Sequence, residues 1–297
     1  MPSCEELTCG AVVPRRVYCR AGIDCIVFDD VQANPTMSIV EAGIAVLNSM
    51  PAGTFLVSLG GGSSMDAAKA ISVIGPDGGV TAEDIAQYCM VPELAEGSET
   101  INMATMMPQK MAKKPSAKII AIPTTSGTAS ETNGAAVISD DRAEVHRKLI
   151  FSSPGAAAVQ TILDPELTLG LPAYPTATCG MDALTHSIEA LTSARQNPYS
   201  DAVALGSIKL VAEWLPVLMK DLSNLDARLH IMTASHMAGI AFGISGLGIC
   251  HAVGHPLSAL LNKAHGQTLS TMLPHVRPPL ELQSATASLG GVAACAC

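Results

Sequence analysis

The chain has 297 residues, a formal net charge of −9 and 48% hydrophobic residues, with aromatics at only 3%. That length can bury a large core and makes two domains the natural expectation, and a core so poor in rings must be built from Ala, Val, Ile, Leu and Met. The negative balance disfavours nucleic acid and anionic membrane as partners, and the opening MPSCEELTCGAVVPRR is too mixed for a signal segment.

The nine cysteines form no CxxC pair, so no disulfide framework is expected, and Cys179 and Cys250 read as small buried fillers. A soluble protein of a reducing compartment follows, cytoplasmic with mitochondria left open.

Residues 1 to 22 show no clear periodicity, and IDCIVFDD from Ile23 reads as a short buried strand. Asn34-Pro35 then stops any helix before it. Ser38 to Ser49 alternates as an amphipathic helix, with Ser38 as cap and Glu41 three residues on.

TFLVSLGGGSSMDAAKAISVI is the clearest supersecondary pattern: an apolar strand from Thr54 to Leu59, three glycines, then a helix capped by Ser63 or Ser64 and running through Lys69. Glycines ahead of a helix N-terminus aim free N–H groups at an anion, and a pyrophosphate is the natural guest. A plain tight turn explains the same residues about as well, and the spacing is not GxGxxG. Residues 91 to 116 read as a long surface loop with one helical turn at most.

AKIIAIPTTSGTASE repeats the strand-then-loop design, ending its strand at Ile122. The hydroxyls around Gly127 suit a phosphate, a ribose or a nicotinamide amide, although capping of the next element is the simpler explanation of the loop alone. AAVISDD and RKLIFSS form a hairpin pair, and AVQTILDP is one more strand. After Asp164-Pro165 the pattern turns to long 3.6-period segments. The expected fold is an α/β domain with a Rossmann-like parallel sheet over residues 1–163, then an all-α domain over 164–297.

That helical half holds the densest chemistry. GMDALTHSIEA sets Asp182 and His186 four apart, which at helical pitch points both from one face. His251, His255 and His265 fall within fifteen residues of a chain with only eight histidines. On one straight helix 251 and 265 would stand roughly 21 Å apart, so the chain must bend for both to reach one ion, and Pro256, Asn262 and Gly266 offer places. One Asp with two or three His suits a divalent first-row metal without choosing among Fe, Zn and Mn. Residues 239 to 261 are also apolar enough to suggest a membrane span, but two His, five Gly and a Pro argue against lipid.

FDDVQANPT, SLGGGSSMDAAKA, AIPTTSGTASE, ILDPELTLGLP, GMDALTHSIEA and GICHAVGHPLSALLNKAHG with LPHV resemble, in order, the iron-containing (group III) alcohol dehydrogenases over residues 28 to 276. The resemblance implies an NAD(P)-dependent enzyme passing hydride between a primary or secondary alcohol and the cofactor to give an aldehyde or ketone. It places the metal, Fe(II) with Zn as an alternative, on Asp182, His186, His251 and His265, with His255 as a proton relay or positioning residue. The pyrophosphate loop falls on Gly61, Gly62 and Ser63 with Asp66 behind it, the second cofactor loop on Thr124, Thr125 and Thr128, and Lys148 on a ribose-contacting lysine. A hydroxyacid–oxoacid transhydrogenase, or a metal-binding product without turnover, are the rival readings. Homo-oligomerisation stays open.

Three departures accompany the likeness. About 22 unmatched residues stand where the family carries a strand–helix–strand unit that distinguishes NAD from NADP. The stretch around 91 to 107 is longer than usual, and from about 277 the chain runs into RPPLELQSATASLGGVAACAC, unlike the family's further helices. A truncated or mis-spliced gene model explains all three. Both domains are therefore expected to be incomplete, and the chain to bind metal yet aggregate and turn over slowly.

Overall fold

The computed structural model describes residues 24–90, 107–114, 116–142, 147–261 and 263–276. Its first half runs α1 (Met37–Asn48), β1 (Leu56–Gly60), α2 (Gly62–Asp77), α3 (Ala82–Gln87), β2 (Cys89–Met90), β3 (Ile119–Pro123), β4 (Ala135–Asp140), β5 (Arg147–Ser152) and β6 (Gln160–Thr161). The second half is helical: α4 (Ala173–Thr192), α5 (Pro198–Lys220), α6 (Leu225–Ser245), α7 (Ile249–Leu261) and α8 (His265–Met272). The architecture is thus an α/β half with a parallel sheet, followed by a helical half.

The parallel sheet has the order β1-β3-β6, and its register sets Leu56 opposite Ile119 and Gly60 opposite Pro123. That register brings the glycine turn after β1 and the Thr/Ser loop after β3 to the same edge. β1 is an outer strand among those described, so Val57 is exposed instead of buried as its apolar run suggests. β6 is only two residues long.

A second, antiparallel sheet of order β2-β5-β4 contains the expected hairpin, with Val137 opposite Ile150. Helices α1, α2 and α3 cover it, and Val40, Ile44, Ile74, Ile85, Ile138, Leu149 and Phe151 form one aliphatic core. α3 holds itself by a capping box in which Thr81 Oγ1 accepts from Asp84 N–H and the Asp84 carboxylate accepts from Thr81 N–H.

Three local expectations are corrected. Residues 24–30 form no strand, and Ile26 is exposed. α1 is capped by Thr36, whose Oγ1 accepts from Ile39 N–H at 3.3 Å, two residues ahead of Ser38. α2 begins at Gly62 with Gly61 as its cap and no side-chain cap bond, so neither Ser63 nor Ser64 serves as cap. The 91–116 loop lies mostly, and the tail from 277 wholly, outside the described residues.

In the helical half, α4, α5 and α6 meet through alanines: Ala183, Ala190, Ala204, Ala234, Ala238 and Ala241 are fully buried. Small side chains let backbones approach closely, and Ser187 and Ser207 use that closeness. Ser187 Oγ donates to Ser207 Oγ at 2.8 Å, which donates to the Ala234 carbonyl at 2.7 Å, tying three helices together. α5 is long and apolar enough to cross a membrane by length and composition, yet here it packs against α4 and α6. The apolar run 239–261 is no single span. α6 ends at Ser245, Gly246 turns with φ of 87°, and α7 leaves at 111°.

α7 runs through Pro256 unbroken. The carbonyl that proline leaves without a helical partner belongs to Ala252, which is exposed. The bend that brings His265 back lies between Leu261 and His265, at the start of α8.

Candidate metal centre and cofactor edge

α4 carries Asp182, His186 and Glu189 at i, i+4 and i+7 on one face, and all three are buried. Across from them α7 supplies His251 and His255, and the first residue of α8 supplies His265. Asp182 Oδ1 is the hub: Nε2 of His186 and of His251 each stand 3.6 Å away, and Nε2 of His265 stands 3.9 Å away. None of these is a hydrogen bond, and Asp182 Oδ1 and His251 Nε2 are buried without any partner.

Donor atoms each about 2.1 Å from a tetrahedral ion are separated by about 3.4 Å, so this spacing is that of ligands around a common centre. Such orphaned buried atoms otherwise cost free energy with no return. Two trios have donor atoms within 4.8 Å of one another, Asp182–His186–His251 and His251–His255–His265. His255 is therefore close to the cluster too. The rings pack tightly: His186 stacks on His251 at 4.5 Å and 16°, and His255 meets His265 edge-on at 4.7 Å.

Electrostatics divide the histidines of this pocket. Burial lowers the pKa of His186 to about 4 and that of His255 to about 3, the second also under the charges of His265, His251 and Lys148. His265 is lowered as well, chiefly by burial. Burial would raise Asp182, but His186, His251 and His265 outweigh it and hold the carboxyl well below its ordinary range. His251 goes the other way, to about 9, because Asp182 and Glu189 outweigh its burial.

Glu189 escaped the sequence reading, although it stands inside the same motif one further turn along. Its Oε1 accepts from Cys250 N–H at 2.6 Å and His251 N–H at 3.3 Å, and its Oε2 faces His251 Nδ1. The seven-residue spacing from Asp182 could have found it.

At the sheet edge, Gly60 has φ of 152° and its carbonyl accepts from Thr124 N–H at 2.9 Å, locking the two loops together. A Cβ on Gly61 would lie 3.2 Å from Thr125 Cγ2, and one on Gly62 would lie 2.8 Å from Thr128 Cγ2. Ser63 Oγ accepts from Asn34 N–H at 3.1 Å, and Lys148 Nζ donates to Asn34 Oδ1 at 2.8 Å. So Gly61, Gly62, Ser63, Thr124, Thr125, Thr128 and Lys148 gather on one edge, with Asn34 an unforeseen link.

Asp66 differs from that set. Its oxygens accept from Ser130 Oγ at 2.6 Å and Val137 N–H at 2.9 Å, and buried Lys69 stands 3.8 Å away, so the carboxylate braces the loop from behind. The edge also touches the metal side: a Cβ on Gly127 would lie 2.6 Å from the Cys179 carbonyl oxygen, one turn ahead of Asp182 on α4.

Residues 12–165 match the family model for iron-containing alcohol dehydrogenase, and residues 176–289 match that of the Fe-containing alcohol dehydrogenase family, C-terminal. The chain belongs to the iron-containing alcohol dehydrogenase family.

Alcohol dehydrogenase 4 of Saccharomyces cerevisiae (strain YJM789) is 34% identical over 273 residues, covering 92% of this chain and 65% of the yeast protein. The crystal structure of 1,3-propanediol oxidoreductase superposes with a TM-score of 0.76 at 34% identity, covering 90% of this chain and 64% of that one. Sulfoacetaldehyde reductase from Bifidobacterium kashiwanohense, solved in complex with NAD+, gives 0.73 at 31%, covering 89% and 64%. The chain therefore spans a little under two thirds of the length of these relatives.

Proposed function

We propose that the chain is the nicotinamide- and metal-binding part of an alcohol dehydrogenase catalysing alcohol + NAD(P)+ ⇌ aldehyde or ketone + NAD(P)H + H+. The observation that carries this reading is the orphaned Asp182 carboxylate with three imidazoles aimed at it, set beside a glycine/threonine edge. In this reading residues 1–163 serve the cofactor and residues 164–297 the metal. Asp182, His186, His251 and His265 hold a divalent ion, Fe(II) by the family's name, with Zn(II) equally suited to the donor set. Bound there, the ion supplies Lewis acidity that makes the alcohol oxygen easier to deprotonate.

The chain's own residues do the rest. The N-terminus of α2, with no side chain in its cap, offers first-turn N–H groups and a favourable dipole to the cofactor diphosphate. Thr124, Thr125 and Thr128 line the neighbouring loop and offer hydroxyls to the nicotinamide end, and Lys148 to the ribose. His255 is neutral at pH 7 and takes the role of hydrogen-bond acceptor and brief proton carrier beside the centre. The relatives named above act on small alcohols or aldehydes by their names, which supports a small-molecule substrate here.

The test is metal analysis of the anaerobically purified protein, followed by a panel of primary and secondary alcohols with NAD+ and with NADP+. Near-stoichiometric metal and reduced nicotinamide with at least one alcohol are expected. Metal-loaded protein that reduces neither cofactor with any alcohol would overturn the reading.

A further inference from the structure

Glu189 is buried inside the helical half, and both of its oxygens are engaged by one short segment. Its Oε1 takes two N–H groups from the first turn of α7, groups that have no partner within their own helix. Its Oε2 takes the ring of His251. One carboxylate thus grips both the backbone and the side chain of the same histidine, across 62 positions of sequence. Gly248 makes room for it, since a Cβ there would lie 2.9 Å from Oε1.

A carboxylate can only accept, so Nδ1 of His251 carries a hydrogen toward Glu189, and Nε2, on the side of Asp182, is the ring nitrogen left to take an ion. His186 offers the contrast, because its Nδ1 is buried with no partner. A helix cap alone would not need a ring contact, and a local Ser or Asn would provide it without burying a charge.

We infer that Glu189 is a positioning residue for the metal centre: it fixes the tautomer and direction of His251 and pins α7 to the helix bearing Asp182 and His186. Metal affinity then depends on a residue that never touches the ion. This inference rests on the metal reading proposed above, and the test separates the two.

The probe is Co(II), titrated against a chelator while its visible ligand-field bands are recorded, with folding followed by circular dichroism. Asp182→Asn tests the metal reading itself and should lose stoichiometric Co(II). Glu189→Gln keeps the shape and an acceptor but removes the charge, and should weaken Co(II) binding by about 10- to 100-fold with altered bands. Gly248→Ala leaves every charged group in place and crowds Oε1, and should shift the bands in the same direction. Wild-type affinity and unshifted bands in Glu189→Gln, with Co(II) lost from Asp182→Asn, would overturn the role of Glu189 alone. Should Glu189→Gln not fold, unshifted bands in Gly248→Ala would overturn it. Tight Co(II) in Asp182→Asn would instead sink the metal reading, and this inference with it.

Discussion

The two functional regions are built in opposite ways. The cofactor edge is made of backbone and absent side chains: Gly61 and Gly62 lie against Thr125 and Thr128, and Gly60 against Ser64, with no room for a side chain of their own. The metal centre is made of side chains that fill a buried space, with Asp182 Oδ1 at its middle. One should therefore be damaged by adding atoms, the other by removing them.

The sharpest way to break the contrast is His265→Ala, which deletes one donor and should abolish stoichiometric metal, read by elemental analysis of the purified protein. Unchanged metal would take His265 out of the centre. Next comes His255→Gln. If His255 is a proton carrier and not a ligand, metal content stays intact while turnover falls about 10²–10⁴-fold. Metal lost instead would move His255 into the ligand set, a result its closeness to His251 and His265 makes decisive.

On the other side, Gly61→Val adds three carbons facing Thr125, and should weaken NAD(H) binding about 10-fold or more by calorimetry while leaving metal untouched. Equal affinity would return the glycine turn to a merely structural role. The smallest effect should follow Ser130→Ala, which deprives half-buried Asp66 and buried Lys69 of a shared partner. A loss of about 1–3 kcal/mol in unfolding free energy, with cofactor affinity only slightly changed, would place Asp66 behind the loop and not in it.

What the sequence made legible follows the same division. The glycine turn, the two parallel strands and the Asp182–His186 pair are short-range patterns, and each is found where its spacing puts it. Partners distant in sequence were harder to read. β2 is two residues long, too short for any alternation to show, whereas AVQTILDP reads as a strand and pairs only over Gln160–Thr161. IDCIVFDD has a strand's composition but no neighbour to pair with among the described residues, and composition cannot report that. Thr36 caps α1 because it, and not Ser38, adopts the extended backbone a cap requires, a matter of φ and ψ. Glu189 was in view within GMDALTHSIEA, yet its meaning depends on α7 arriving opposite it. Pro256 looked like a bend because the exposure of Ala252 cannot be seen from sequence.

The uneven burial of the donor set bears on how long an ion would stay. The side chains of Asp182, His186 and His251 are 4%, 6% and 3% exposed, whereas that of His265 is 29% exposed. Three of these side chains form a closed socket and the fourth stands at its mouth, so an ion held by all four would shed His265 first. That histidine opens an eight-residue helix whose second residue, Gly266, is wedged against the Thr178 carbonyl of α4. The residence time of such an ion would then be set by how often one short helix lifts from α4, and a chelator at high concentration would strip it no faster than that lifting allows.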